Sequence, residues 1–357
     1  MTDLLDQAKE QRSSERLDQN VLQTYLQEQN VIDSPITSIL QFSGGASNLT
    51  YRVQTQNQDL ILRRPPFGHK AKTAHDMKRE VTVLNALSPR LDVCPKALHY
   101  CDDEAIMGSE FYLMERIQGV IIRRDMPQQL TAQSGLYADM CTEFATRLVE
   151  LHSLDPAEVG LQEFGKPEGY VSRQVLGWTK RMQNAKTSNT LSFDALAAWL
   201  VEQMPKDHPH SAIIHNDYKF DNVIWDEQSL VDNKPKMIGV LDWEMTTLGD
   251  PLMDLGSTLA YWVEASDPPP LIATGMMPTH LAGMLTRSEF SNAYLAARGW
   301  ASQDLSYYRI FGLFRLAVIV QQIYYRFDLG QTDNPRFASF GDLANLLIHT
   351  AARAAKV

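Results

Sequence analysis

The chain has 357 residues, of which 44% are hydrophobic and 21% charged, a composition typical of folded globular proteins rather than disordered ones. Its 33 basic and 43 acidic residues give a net charge of −10, which argues against general nucleic-acid binding because such binding needs a basic surface. The three cysteines are sparse and offer neither a disulfide framework nor a zinc site, so we expect a reducing, cytoplasmic compartment. Neither a signal peptide nor a membrane-spanning run is evident, and no membrane partner is predicted.

The first third of the chain predicts a small antiparallel sheet accompanied by helices. A polar N-terminal helix is expected within residues 1–34, and apolar residues at helical spacing indicate a second helix at 71–87. Short apolar runs between turn-forming residues predict strands at 36–42, 49–53, 60–63, 97–100 and 111–117.

Beyond Gly119, which we expect to act as a hinge, the pattern becomes mainly helical. Helices are predicted at 136–154, 174–182 and 193–204, followed by a strand–loop–strand unit at 213–243. Helices are then predicted over most of 252–356, with a break at the prolines 268–270. This order predicts an α+β protein with a small antiparallel-sheet lobe at 1–118 and a larger, mainly helical lobe at 119–357. A cleft between two lobes is a common place for a ligand site.

A polar loop between two apolar runs carries the strongest chemical signal. It reads HNDYKFDN from His215 to Asn222, and its Asp217 and Asn222 have the spacing of the kinase catalytic loop, in which the aspartate accepts the proton of the substrate hydroxyl and the asparagine holds a metal. Lys219 is placed to offset the charge of a transferred phosphoryl group. We therefore predict Asp217, Lys219 and His215 as catalytic residues, with a polar β-hairpin loop as the alternative interpretation.

A second apolar run delivers Asp242, twenty residues after Asn222. Magnesium prefers oxygen ligands and keeps several waters, so these two side chains and the oxygens of a triphosphate would suffice to hold it. An aspartate at a strand end more often caps a turn or a helix. The pairing with the preceding loop nevertheless favours metal binding by Asn222 and Asp242.

Three motifs together resemble those of the aminoglycoside phosphotransferase and choline kinase superfamily: HNDYKFDN at 215–222, LDWE at 241–244 and GDPLMDL at 249–255. Within it, the chain is most similar to the kinase-like domain fused to certain acyl-CoA dehydrogenases and to its stand-alone bacterial relatives. The resemblance covers nearly the whole chain. It implies a two-lobed protein-kinase-like fold, ATP or GTP with Mg²⁺ as cofactors, and a hydroxyl-bearing small molecule as the partner. It also implies that Asp254 bonds the catalytic loop rather than the metal.

The resemblance implies a nucleotide site in the first lobe. A glycine-rich turn would cover the phosphates, a strand-end arginine would replace the phosphate-anchoring lysine of kinases with a helical glutamate as its partner, and a hinge segment would meet the adenine edge. The corresponding residues are Gly44, Gly45, Ser47 and Asn48, then Arg63 with Glu80, and then Met114, Glu115 and Arg116. A plain hairpin turn, a solvated arginine and a surface glutamate are the alternatives.

Basic residues beyond Gly119 favour an anionic acceptor. They are Arg123, Arg124, Arg173, Lys180 and Arg181, of which the last three are the candidate substrate residues. A polycationic aminoglycoside would meet like charges there, whereas a phosphate-bearing hydroxyacyl-CoA would gain charge-assisted hydrogen bonds. A solvated helix face is the alternative.

Three functions stay open at this point. We favour an active small-molecule O-kinase, whose acceptor is either such an anion or an aminoglycoside or amino alcohol. A catalytically weak nucleotide-binding module has no need for Asp217, Asn222 and Asp242 together. A protein kinase is opposed by the absence of an Ala-Pro-Glu motif.

Overall fold

The computed structural model describes residues 7–42, 48–67, 76–130, 135–332 and 334–357. The chain divides into two compact units. The first unit comprises Met1–Ile121 with Val223–Leu230 and Lys236–Thr246, and the second comprises Ile122–Asn222, Val231–Pro235 and Thr247–Val357. No helix within the described ranges is long and apolar enough to cross a membrane.

The secondary structure of the described residues is mixed. The strands are β1 Ile36–Gln41, β2 Leu49–Thr55, β3 Asp59–Arg64, β4 Ala97–Cys101, β5 Phe111–Glu115, β6 Ala212–Ile214, β7 Val223–Trp225, β8 Met237–Val240 and β9 Thr247–Gly249. The α-helices are α1 Gln19–Glu28, α2 Met77–Leu87, α3 Glu104–Met107, α4 Leu136–Ser153, α5 Tyr170–Asn184, α6 Asp194–Glu202, α7 Glu227–Val231, α8 Pro251–Tyr261, α9 Pro269–Ile272, α10 Arg287–Ala297, α11 Ser306–Asp328 and α12 Phe340–Ala355.

The first unit is built on a five-stranded antiparallel sheet in the order β1-β2-β3-β5-β4. Alternate residues of β2, such as Tyr51 and Val53, are buried in the core, whereas nearly every residue of β3 and β5 is buried. The five strands predicted for this region are confirmed, although β5 ends at Glu115 rather than at residue 117.

The single N-terminal helix expected within 1–34 is wrong in its extent. The described chain forms a bridge between Lys9 and Gln41, a 3₁₀ turn at Ser13–Glu15, and then α1. The helix begins at Gln19 because the Asp18 carboxylate accepts hydrogen bonds from two N–H groups of its first turn.

Helix α2 begins after Asp76, whose carboxylate accepts a hydrogen bond from the N–H of Arg79. The helix buries Val81 and Leu84 as its periodicity predicts. Residues 71–75 of the predicted helix lie outside the described residues.

Gly119 is required for close backbone approach in the first unit. Val120 bridges to Trp225, and a Cβ at Gly119 would overlap the carbonyl oxygen of that tryptophan. The backbone dihedrals of Gly119 are not of the left-handed kind that favours glycine, so steric fit explains the residue better than the hinge flexibility expected from the sequence.

The second unit is mainly helical. Helices α8 and α11 pack so closely that a Cβ at Gly256 would overlap the carbonyl of Tyr308. Helix α5 begins at Tyr170, earlier than predicted, because Asp207 accepts hydrogen bonds from the N–H groups of Gly169 and Val171. The prolines at 268–270 separate α8 from α9, and two of them form the first turn of α9, where proline is tolerated.

The strands on either side of the HNDYKFDN loop do not pair with each other. Strand β6 pairs with β9, and β7 pairs with β8, both antiparallel. The β-hairpin interpretation of the loop is therefore wrong. Strand β7 begins directly after Asn222, and its partner β8 ends two residues before Asp242, with Val223 opposite Val240.

Candidate active site

The backbone of the loop is fixed by a buried aspartate of α8. Asp254 accepts hydrogen bonds from the N–H groups of His215 and Asn216, both at 2.7 Å. Asn216 adopts a left-handed conformation with φ of 66°, which asparagine tolerates better than most residues. The expectation that Asp254 bonds the loop is confirmed.

Asp254 is itself held by a buried pair of side chains. His152 Nε2 lies 3.1 Å from its Oδ2, and Tyr294 Oη lies 2.7 Å from His152 Nδ1. Burial alone would raise the pKa of Asp254, but His152 and His215 hold that pKa below its ordinary value. The group is therefore a carboxylate at neutral pH and acts as a strong acceptor for the loop.

Among the described residues, three side chains donate hydrogen bonds to the carboxylate of Asp217. Lys219 Nζ and Asn222 Nδ2 approach Oδ2 at 2.7 and 2.9 Å, and Tyr261 Oη approaches Oδ1 at 2.9 Å. The structure thus brings together Asp217, Lys219 and Asn222, as the loop spacing predicts. Tyr261 was not predicted.

Lys219 carries its charge directly against Asp217. Burial would lower the pKa of Lys219, but Tyr261 and Asp217 raise that pKa above its ordinary value. The ammonium also lies 4.9 Å from the centre of the Tyr261 ring, within cation–π range. An ammonium that stays charged has the chemistry needed to stabilise a transferring phosphoryl group.

The amide nitrogen of Asn222 is engaged in hydrogen bonds with Asp217. Its Nδ2 donates to both the carbonyl oxygen and Oδ2 of Asp217, each at 2.9 Å. The amide oxygen is therefore the atom with the chemistry of a magnesium ligand.

His215 supports the shape of the loop. Its Nδ1 accepts a hydrogen bond of 3.2 Å from the N–H of Asp217, and the residue is fully buried at 0% exposure. These contacts show that His215 helps to hold the loop, and a catalytic role for it stays a prediction.

In the first unit, Arg63 joins two carboxylates. Its Nη1 lies 3.0 Å from Glu80 Oε1, and its Nη2 lies 2.8 Å from Asp242 Oδ1. Arg63 and Glu80 are 7% and 1% exposed, so the alternatives of a solvated arginine and a surface glutamate are wrong. Burial alone would lower the pKa of Arg63, but Glu80 raises it well above its ordinary value, and the guanidinium stays charged.

Asp242 lies two residues after the end of β8, in a left-handed conformation with φ of 66°. It precedes a short 3₁₀ turn, but its side chain makes no capping hydrogen bond to that turn. The capping alternative is therefore wrong for its carboxylate, which contacts Arg63 and is 30% exposed.

The predicted phosphate-covering turn is described only in part. Asn48, the residue before β2, donates a 2.8 Å hydrogen bond from its Nδ2 to Glu244 Oε2 of the LDWE motif. Gly44, Gly45 and Ser47 lie outside the described residues.

The predicted hinge residues lie at the end of β5. Met114 and Glu115 are within the strand, and the N–H of Glu115 donates to the carbonyl of Lys96 at 3.0 Å. Arg116 Nη1 lies 2.6 Å from Asp59 Oδ2. The N–H of Glu115 and the side chain of Arg116 are thus engaged within the first unit. Contact of this segment with an adenine edge stays a prediction.

The described contacts do not bring the five basic residues together. Arg173 donates to the carbonyls of residues 166 and 168, Arg181 stacks on Trp178 at 4.6 Å, and Arg124 donates to the carbonyl of Ala273. Lys180 and Arg123 are exposed. A common anion site formed by these residues stays a prediction.

Sequence reasoning identified Asp254 on one face of α8 but missed Thr258 and Tyr261 on the same face. Asp254, Thr258 and Tyr261 all bond the loop, since Thr258 Oγ1 donates to the carbonyl of Tyr218 at 2.9 Å. Polar residues at i, i+4 and i+7 of an otherwise apolar helix share one face, and this spacing is the signal that could have revealed them.

Comparison with known proteins identifies the family. The model of the phosphotransferase enzyme family (APH) matches residues 38–290, well over half of the chain. The mouse (Mus musculus) acyl-CoA dehydrogenase family member 10 is 32% identical over 317 residues, which are 88% of this chain but only 29% of that protein. The chain thus spans about a third of the length of this relative.

Solved structures share the fold. A candidate aminoglycoside phosphotransferase from Ralstonia eutropha superposes with a TM-score of 0.78 at 26% identity, covering 96% of this chain and 99% of that one. The GDP complex of aminoglycoside 2'-phosphotransferase-IIIa gives a TM-score of 0.62 at 15% identity, covering 94% and 99%, and bears on the fold alone. The α+β, protein-kinase-like fold and the superfamily resemblance are confirmed.

Proposed function

Because the chain belongs to the phosphotransferase enzyme family, we propose that it transfers the γ-phosphoryl group of ATP or GTP to a hydroxyl of a small molecule. The observation that carries the proposal is the Asp217 carboxylate, held by Lys219 and Asn222 in a loop with kinase spacing. A catalytically weak module would have no use for such an arrangement.

In this reaction, the acceptor oxygen forms a bond to the γ-phosphorus, and the bond between that phosphorus and the oxygen bridging the β- and γ-phosphates breaks. Asp217 orients the hydroxyl and accepts its proton, which leaves a phosphate ester and a nucleoside diphosphate. Lys219 offsets the negative charge on the transferring group.

We propose that Arg63, backed by Glu80, anchors the phosphates of the nucleotide. Arginine presents a planar set of donors that suits phosphate oxygens and does not lose its charge. Its pairing with Asp242 supports this, since a phosphate is another anion that the same guanidinium can bind. The remaining nucleotide contacts that we propose are those of Gly44, Gly45, Ser47, Asn48, Met114, Glu115 and Arg116.

Magnesium fits the donor atoms of Asn222 and Asp242. Asn222 offers its amide oxygen, because its amide nitrogen already donates to Asp217. Asp242 offers a partly exposed carboxylate. Both kinds of oxygen suit a hard cation. We propose these two residues as the protein ligands. The metal would neutralise the charge of the triphosphate.

We propose an anionic acceptor, with a CoA-linked hydroxy acid as its class. The match to part of proteins named acyl-CoA dehydrogenases supports an acyl-CoA substrate. The exposed basic residues Arg173, Lys180 and Arg181 of α5 would suit its phosphates. The alternative acceptor is an aminoglycoside or amino alcohol, which the name of the Ralstonia neighbour and the net charge of −10 favour.

An acceptor panel tests the proposal. Purified protein with Mg²⁺ and ATP or GTP would be given kanamycin, choline, simple sugars and hydroxyacyl-CoA thioesters, and nucleoside diphosphate release and the mass of the product would be measured. We expect phosphorylation of the thioester. Turnover of kanamycin alone would replace that acceptor with an aminoglycoside, and turnover of none would refute the kinase assignment.

A matched charge variant tests the basic residues. Changing both Arg173 and Arg181 to glutamine should raise the KM of an anionic acceptor by about tenfold, in line with loss of charge-assisted bonds. Changing both Arg336 and Arg353 to glutamine, which likewise removes two exposed arginines outside α5, should change nothing. Equal effects of the two changes would assign the loss to general surface charge.

A further inference from the structure

The two oxygens of the Asp217 carboxylate have different hydrogen-bond donors. Lys219 and Asn222 both bond Oδ2, while Tyr261 bonds Oδ1. An ionised carboxylate oxygen accepts more than one hydrogen bond. Oδ1, which among the described residues has one donor and a neutral one, is therefore the better placed oxygen to receive the hydroxyl of an acceptor.

The donor on Oδ1 comes from outside the catalytic motif. Tyr261 is the last residue of α8 and lies 44 residues along the chain from Asp217. On the same face of the helix, two turns before Tyr261, Asp254 accepts hydrogen bonds from N–H groups of the loop. One turn before Tyr261, Thr258 donates to the carbonyl of Tyr218. One rigid helix thus sets both the backbone of the loop and the side chain of its aspartate, which is the arrangement that precise positioning needs.

The chemistry of a phenol suits this place. Burial, followed by the charge of Asp217, raises the pKa of Tyr261 to about 12, so the hydroxyl remains a donor at neutral pH. Its ring faces Lys219 at 4.9 Å. A neutral donor can hold the carboxylate without neutralising it as another cation would.

We infer that Tyr261 is a positioning residue of phosphoryl transfer, which holds Oδ1 of Asp217 toward the acceptor hydroxyl while Lys219 and Asn222 hold Oδ2. The inference rests on the proposed function, because it takes Asp217 as the base. Tyr261 touches neither nucleotide nor acceptor in this role and acts only through the carboxylate.

The test is Tyr261→Phe, which keeps the ring over Lys219 and removes one oxygen. Its steady-state kinetics would be measured with the panel acceptor that the wild type phosphorylates, and with water as acceptor. We expect kcat to fall between about 10- and 100-fold, the range for loss of a positioning group, while the KM values for nucleotide and acceptor stay within about twofold. Tyr307→Phe is the matched control, because it removes a hydroxyl that bonds the carbonyl of Leu200 in the same unit and should leave kcat unchanged.

A double variant separates positioning from general structural support. In an Asp217→Ala background, Tyr261→Phe should have less than about a twofold further effect, because the group through which it acts is gone. A full, multiplicative loss in that background would overturn the inference.

The outcomes also distinguish the inference from the proposed function. If Asp217→Ala is impaired but Tyr261→Phe behaves as the wild type, the inference about Tyr261 fails and the proposed function stands. If Asp217→Ala retains wild-type turnover, or the wild type phosphorylates nothing in the panel, the proposed function fails and the inference falls with it.

Discussion

Neutralising Glu80 should destabilise the first unit measurably, and the structure sets the size of the loss. The perturbation is Glu80→Gln, which keeps the shape of the side chain and removes its charge. Leaving a buried charge without any partner costs about 3–5 kcal/mol. Arg63 would still keep Asp242 at 2.8 Å, so we expect a smaller loss of about 2–3 kcal/mol in the free energy of unfolding.

The assay is urea unfolding followed by circular dichroism, with an exposed pair of the same length as the control. Arg12 Nη1 and Glu15 Oε2 are also 3.0 Å apart, but the arginine side chain is 57% exposed. Arg12→Gln should therefore cost less than about 1 kcal/mol. The double change Arg63→Met with Glu80→Met should cost at least about 1 kcal/mol less than the sum of the single changes. Strict additivity, or equal losses for Glu80→Gln and Arg12→Gln, would refute the reasoning from burial.

Three further changes test other parts of the account. Asp242→Ala should weaken binding of magnesium–ATP by at least about tenfold, a typical loss at metal sites, while leaving adenosine affinity unchanged; equal calorimetric affinities for magnesium–ATP in wild type and variant would exclude the metal role. Because the folded-state pKa of Asp254 lies below its ordinary value, its stabilising contribution is present above about pH 4 and is lost as the pH falls further. Asp254→Asn should therefore flatten the acid limb of stability below that pH, and an unchanged slope would contradict the assignment. Gly256→Ala should lower the free energy of unfolding by about 1–3 kcal/mol through overpacking against Tyr308, and a variant as stable as the wild type in urea would show that the two helices can separate without cost.

Local pattern predicted much of the fold. The strands of the first unit follow from short apolar runs between turns, and their predicted positions hold to within two residues at either end. The predicted extent of the N-terminal helix was wrong because Asp18 and the left-handed Asn30 set the limits of α1. Such end signals involve only a few residues, so the apolar periodicity of the segment does not reveal them.

The candidate site shows a similar division. Asp217, Lys219 and Asn222 lie in one loop, so the spacing of the motif was enough to predict that they meet. The contacts of Tyr261 with Asp217 and of His152 with Asp254 join residues 44 and 102 positions apart, and no local pattern encodes such a distance. Tertiary packing of α8 brings them to the loop.

Acceptor-dependent turnover by wild type and Asp217→Ala measures the proposed phosphoryl transfer itself. We expect the wild type to release one nucleoside diphosphate for each acceptor phosphorylated. We expect Asp217→Ala to lower kcat by about 100-fold or more, the range for loss of a general base, with nucleotide affinity nearly unchanged. Wild-type turnover by Asp217→Ala, with phosphorylated product confirmed by mass, would exclude Asp217 as the general base.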